Sequence, residues 1–123
     1  MSIKQENIVM SKSYAFAIKI INLYKYLIAE KKEFVLSKQI LRSGTAIGAL
    51  VKEAEHAQSK PDFINKMNIA LKEANETDYW LNLLRDSEYI DCECVVSIQP
   101  DCMVLIRLLA SIVKTGKKNM EDN

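Results

Sequence analysis

Leu41-Arg42-Ser43-Gly44-Thr45-Ala46-Ile47-Gly48-Ala49 decides how the rest of the chain is read. It holds two of the chain's three glycines, four residues apart. The surrounding segment has the apolar spacing of a long helix, yet a glycine inside a helix costs about 0.5–1 kcal/mol relative to alanine. Close approach of another backbone would offset that cost. Gly44 and Gly48 share one helix face, with Ser43 and Ala49 beside them, so a neighbouring helix is expected to pack there nearly backbone to backbone. The stretch speaks of architecture and carries no catalytic group.

Working outward, this helix is predicted over about residues 34–58, with Phe34, Ile40, Leu41, Ile47, Leu50, Val51 and Ala54 as its apolar positions. Upstream, a helix over about 12–32 carries Phe16, Ile20, Leu23, Tyr24, Leu27 and Ile28 with Tyr14, Ala17 and Ile21, and Ser11 or Ser13 is its expected cap. Its apolar arc covers about half the cylinder, wider than the ~100° stripe that one core requires. Downstream, Ser59-Lys60-Pro61-Asp62 is the clearest boundary, since Pro suits the first helical position and Asp the first turn. A third helix follows over about 61–86, with Phe63, Met67, Ala70, Ala74, Leu81 and Leu84 recurring at helical spacing. A fourth is predicted over about 92–118, with a kink or break near Pro100 and its regular part beyond it. Only Arg107 and Ser111 are polar in its central run, so burial nearly all round is expected. The residues after 118 read as a frayed polar tail.

Short connections make successive helices antiparallel. The fold class is therefore all-α, an up-down-up-down antiparallel four-helix bundle in one domain spanning residues 1–123. Two helices without an adequate wet face point to a homo-oligomer. The apolar run Cys102–Val113 contains Arg107 and is too short to span a bilayer, so no membrane partner is expected. The N-terminal MSIKQENIVM has no apolar run, and the three cysteines are an odd number; both read as reduced thiols in a cytoplasm.

The net charge is +1, but residues 1–60 hold ten Lys and Arg against five acids, whereas residues 61–123 hold seven against eleven. Pairing of helices within the chain is one reading of that asymmetry; contact between unlike surfaces of neighbouring copies is the other.

Chemistry is sparse. Glu53-Ala54-Glu55-His56 has the Glu-x-x-His spacing of di-iron carboxylate bundles, but such a site needs the motif twice and the chain has one histidine. A solvated histidine near a helix end is the plainer reading, and no metal or other cofactor is expected. Cys92, Cys94 and Cys102 lack paired zinc-ligand spacing and read as buried thiols. Arg42, Glu53, Glu73 and Glu76 form a candidate polar network inside or between bundles, with ordinary exposed helix pairs as the alternative. The up-down order gathers Lys4, Lys12, Lys60, Lys66, Lys114, Lys117 and Lys118 at one end, diluted by Glu53, Glu55 and Asp62. Repeated round a ring, the cluster Lys12, Lys60, Lys66, Lys114, Lys117 and Lys118 would make a multivalent phosphate-binding surface; solubility is the alternative. No aromatic interleaving suggests base stacking, so binding would follow backbone and shape.

The stretches FVLSKQILRSGTAIGALVKEAEHAQSKPDF (34–63) and IALKEANETDYWLNLLRDSEYI (69–90) resemble the bacterial four-helix bundle proteins encoded by intervening sequences of 23S ribosomal RNA genes. AFAIKIINLYKYL (15–27) and LIRLLASIVKT (105–115) extend the resemblance over nearly the whole chain. Ala46 stands where that family often has Ser, Leu50 where it often has Asn, and Pro100 is unusual. The resemblance implies a homopentameric ring and no known catalysis. The accessory variability determinant of diversity-generating retroelements is similar in fold, partners a reverse transcriptase and nucleic acid, and is more basic. The expected function is a non-enzymatic homo-oligomeric bundle, an accessory to RNA or DNA. The alternative is a protein-interaction scaffold without nucleic-acid affinity, and a metal-dependent oxidase is the remotest reading.

Overall fold

Val9, Ser13, Phe16, Ile20, Leu23 and Leu27 recur every three or four residues, and all are buried. That stripe makes the first helix longer than the sequence reading has it. In the computed structural model, which describes residues 3–121, α1 spans Ile3–Glu30, α2 Leu36–Glu55, α3 Lys60–Asp86 and α4 Cys92–Glu121. Val9 lies one heptad before Phe16 and carries the core stripe into the N-terminal segment. Ser13 is consequently no cap: it sits mid-helix, and its hydroxyl donates to the Met10 carbonyl at 3.1 Å. The polar tail expected after residue 118 is helical to Glu121, and residues 122–123 lie outside the described residues.

Each helix backbone runs beside two others in a closed square, α1–α2–α3–α4–α1, and no diagonal pair brings its backbones close among the described residues. Side-chain partners fix the directions. Gly44 lies by Ile20 and Gly48 by Ser13, so α1 and α2 run antiparallel. Gln99 reaches Asp78 and Asn82, while Gly116 lies by Ile64, so α3 and α4 do too. Lys19 on α1 meets Asp101 on α4. The interior is filled by Phe16, Ile20, Leu27, Ile40, Ile47, Met67, Leu81, Leu84, Leu105 and Leu109, all essentially without exposure. Burying such a side chain is worth about 1.5–3 kcal/mol.

The helix ends explain the other differences from expectation. α2 begins two residues later than predicted because Glu33 captures the chain: its Oε1 accepts from the Val35 and Ser37 amides at 3.1 and 2.7 Å, and Ser37 Oγ returns a bond to the Glu33 carbonyl at 2.7 Å. Phe34 and Val35 are thereby left outside the helix, 53% and 68% exposed, and Phe34 is no core residue. α2 ends at Glu55, three residues early, and Ser59 then caps α3, accepting from the Asp62 amide at 3.2 Å while Asp62 accepts from the Gln58 amide. At the end of α3, Glu88 takes φ 66° and the Tyr89 amide reaches the Leu84 carbonyl at 2.9 Å, closing a left-handed cap without glycine.

No break occurs at Pro100: α4 is continuous from Cys92 to Glu121. Proline removes one helical hydrogen bond, from its own missing N–H to the Val96 carbonyl. Both Pro100 and Val96 are exposed, so water can satisfy that carbonyl. One residue on, the Ser97 carbonyl accepts from Lys19 Nζ at 2.8 Å.

α4 is also not buried all round. Ile98, Cys102, Leu105, Leu109, Ile112 and Val113 face the core, whereas Val96, Arg107, Ala110 and Ser111 are exposed. Counted from Cys92 rather than Cys102, α4 is long and apolar enough to cross a membrane by length and composition. Its buried residues, however, keep the three- and four-residue spacing of a stripe packed against α3 and α1.

Candidate functional site

Three surfaces carry the residues of interest. The first joins α2 to α3. Arg42 lies on the flank of α2 that faces Glu73 and Glu76, one helical turn apart on α3. Its Nη1 donates to Glu73 Oε2 at 2.8 Å, and its Nη2 bonds to Glu76. The Glu73 hydrogen bond, and behind it the charges of Glu73 and Glu76, raises the Arg42 pKa above its ordinary value. Trp80, four residues beyond Glu76, donates its Nε1 hydrogen to the same Glu76 oxygen at 3.2 Å. Beneath this cluster the buried hydroxyls of Thr77 and Ser43 lie 2.9 Å apart. The structure thus brings Arg42, Glu73 and Glu76 together and leaves Glu53 out, exposed three turns along α2. Thr77 and Trp80 are absent from the network the sequence suggests, although the i,i+4 spacing of Glu76 and Trp80 is a visible sign, and Ser43 enters there only as a neighbour of the glycine pair. Every carboxylate here is engaged by a cation or an indole, which makes the cluster a clamp between helices.

The second surface is a groove of about 700 Å³ between α1 and α2, lined by Met10, Tyr14, Ala17, Thr45, Gly48 and Ala49 among others. The glycine pair divides here. A Cβ at Gly48 would stand 3.4 Å from the Ser13 carbonyl oxygen, an ordinary contact with backbone. A Cβ at Gly44 would stand 2.7 Å from Cγ1 of Ile20, so the close neighbour there is a side chain and not a backbone. Tyr14, expected in the apolar arc of α1, stands 71% exposed on the groove's rim, and Ile18 and Ile21 continue the exposed apolar strip one and two turns on.

The third surface is the end of the bundle where α1 begins, α2 turns into α3 and α4 finishes. Glu6, Lys60, Ile64, Gly116 and Asn119 line one small cavity there, which places the three segments side by side. Lys4, Lys12, Lys60, Lys114, Lys117 and Lys118 are exposed and Lys66 half-buried. None of them has an ion pair among the described residues. Of the diluting acids, Asp62 is engaged with backbone at the α3 start and Glu55 with Lys52 and His56.

His56 is the C-cap of α2, its ring exposed, with Glu55 the one carboxylate beside it among the described residues. Among the described residues no three His, Cys, Asp or Glu side chains gather as metal ligands. The cysteines differ from the expectation of buried thiols: Cys92 is exposed, Cys94 half-buried and Cys102 buried. Burial, aided by the charge of Asp78, pushes the Cys102 thiol up to about 12, and its Sγ donates to the Ala74 carbonyl at 3.4 Å.

The family profile described as 23S rRNA-intervening sequence protein matches residues 5–111, which takes in α2 and α3 whole and most of α1 and α4. The chain belongs to that family. A solved structure from Bacteroides thetaiotaomicron, of a protein with unknown function from the S23 ribosomal protein family, is 61% identical and superposes with a TM-score of 0.87, covering 89% of this chain and 98% of its own. No curated protein matches the chain. Membership in the 23S rRNA-intervening sequence family thus agrees with the helical bundle, and the bundle's surfaces must speak for function.

Proposed function

We propose that this family member is a non-catalytic homo-oligomer, a pentameric ring in the cytoplasm, that associates with RNA or DNA through its lysine-rich end and needs no cofactor and no membrane. The observation that carries the nucleic-acid reading is the convergence of lysines from α1, α3 and α4 on one end without carboxylate partners. Exposed lysines neutralise phosphates without reading bases, and copies in a ring repeat weak contacts so that later ones become intramolecular. The ring is supported by the exposed apolar strip on α1 and the groove beside it, which one protomer leaves uncovered. A second reading, a protein-interaction scaffold without nucleic-acid affinity, is favoured by that same groove and by the net charge of only +1.

Fluorescence anisotropy with labelled RNA and DNA, at low and physiological salt, separates the two. Binding with little sequence preference, falling steeply with salt and weakened by Lys114→Gln, Lys117→Gln and Lys118→Gln together, is the expected result. No binding at low salt, or a triple variant that binds as well as the parent, overturns it in favour of the scaffold.

A further inference from the structure

We infer that copies of this chain join head to tail, the α1–α2 turn of one against the α3–α4 turn of the next. The inference rests on the oligomeric reading above and names the surfaces that meet.

Both turns lie at the end of the bundle away from the lysine-rich one, on opposite sides of the helix square. The α1–α2 turn is held rigidly by the Glu33 carboxylate, whose bonds to two backbone amides keep that acid occupied. What it presents outward is apolar and cationic: Phe34 and Val35, flanked by Lys31 and Lys38. The α3–α4 turn is fixed as firmly, with Asp91 accepting from the Cys94 amide at 2.9 Å and Asp86 held by Arg85. It presents Glu88 and, on its flank toward Tyr26 of α1, Glu93, with Val96 71% exposed on the next turn of α4. Lys31, Lys38, Glu88 and Glu93 have no ion pair among the described residues.

The two turns are therefore unlike in charge, each with apolar surface beside it. Pairing within the chain does not neutralise the basic and acidic halves: Lys19 with Asp101, and Arg42 with Glu73 and Glu76, are the only ion pairs that join them among the described residues. A face pressed against its own equivalent would oppose like charges. Unlike faces on opposite sides call for a heterologous contact, which closes into a ring when the rotation allows. Copies joined side by side in this way keep their axes parallel, so every lysine-rich end falls on one face of the assembly.

The test uses two variants of the full chain, Lys31→Glu with Lys38→Glu, and Glu88→Lys with Glu93→Lys. Asp91 is left intact because it caps α4. Native mass spectrometry and light scattering read the assembly size of each alone and of an equimolar mixture. The expected result is a parent larger than a dimer, smaller species for each variant alone, and recovery of assemblies larger than a dimer that contain both variants. The recovery also shows that both variants fold. Parental size in either variant alone, or a mixture that stays dissociated or stops at a dimer, overturns the head-to-tail contact while the oligomeric reading stands. A monomeric parent overturns that reading and this contact together.

Discussion

Gly44 lies directly beneath Ile20, so close that an added Cβ would stand 2.7 Å from Cγ1 and 2.8 Å from Cγ2. Those atoms sit next to the backbone of a β-branched residue whose rotamer is nearly fixed in a helix, so α1 and α2 must separate to admit a methyl group. Gly44→Ala is expected to lower stability by about 1–3 kcal/mol through overpacking. At Gly48 the nearest atom is 3.4 Å away, and alanine fits. Gly48→Ala should be neutral or gain up to ~1 kcal/mol of helix propensity. Gly48→Leu, in contrast, fills the groove and should change assembly size more than protomer stability. Chemical denaturation of the two alanine variants checks the order; equal effects would contradict it.

The clamp between α2 and α3 is half in water. Arg42 has 54% of its side chain exposed, whereas Glu73 has 17%, so screening weakens the pair but its loss strands the less exposed partner. Arg42→Ala should cost about 1 kcal/mol or less after that discount. Glu53→Ala, outside the cluster, should cost nothing measurable. A double-mutant cycle between Arg42 and Glu73 is expected to show coupling, and additive effects would remove the clamp.

Pro100 lacks the amide that α4 needs at that position, and its neighbours face water. Pro100→Ala restores one helical hydrogen bond and should raise the melting temperature, by an amount bounded by the ~3 kcal/mol cost of an interior proline. An unchanged or lower melting temperature would contradict this.

These sites show how far residue patterns reach. Ser59, Pro61 and Asp62 were legible as the α2–α3 boundary because capping is local chemistry. Arg42, Glu73 and Glu76 were legible as a set because helix periodicity faces them toward a neighbour. Glu53 stands apart from that set within the chain, since antiparallel register between α2 and α3, a tertiary property, decides which carboxylates meet Arg42. Glu33 falls between the first two predicted helices, and its role as a carboxylate cap depends on a backbone path that composition does not reveal. Val9 does not stand out as core because its helical neighbours Gln5, Glu6, Lys12 and Ser13 are all polar. The glycine spacing predicts a backbone opposite Gly44, but what lies opposite a glycine is decided by the partner helix, here the Ile20 side chain. The groove between α1 and α2 is likewise a product of packing.

The thiols give a graded chemical signature. Cys92 should react first with a maleimide at neutral pH, Cys94 next, since burial and then the Asp91 charge raise its pKa, and Cys102 last. Cys102 has a folded pKa raised to about 12 from an ordinary 9.0, so the fold favours its protonated form. That contribution is whole below pH 9.0 and is lost as pH rises toward about 12. Cys102→Ala should flatten the fall in stability across that alkaline window, despite a lower starting value from the cavity it leaves. An identical alkaline profile in the variant would contradict this linkage.

Everything proposed about the lysine-rich end and the two unlike turns depends on copies of the chain meeting in solution. Size-exclusion chromatography with light scattering at micromolar protein measures that directly. The expected mass is about five times that of the 14.0 kDa chain, unchanged on moderate dilution. A stable species with the mass of one chain would contradict it.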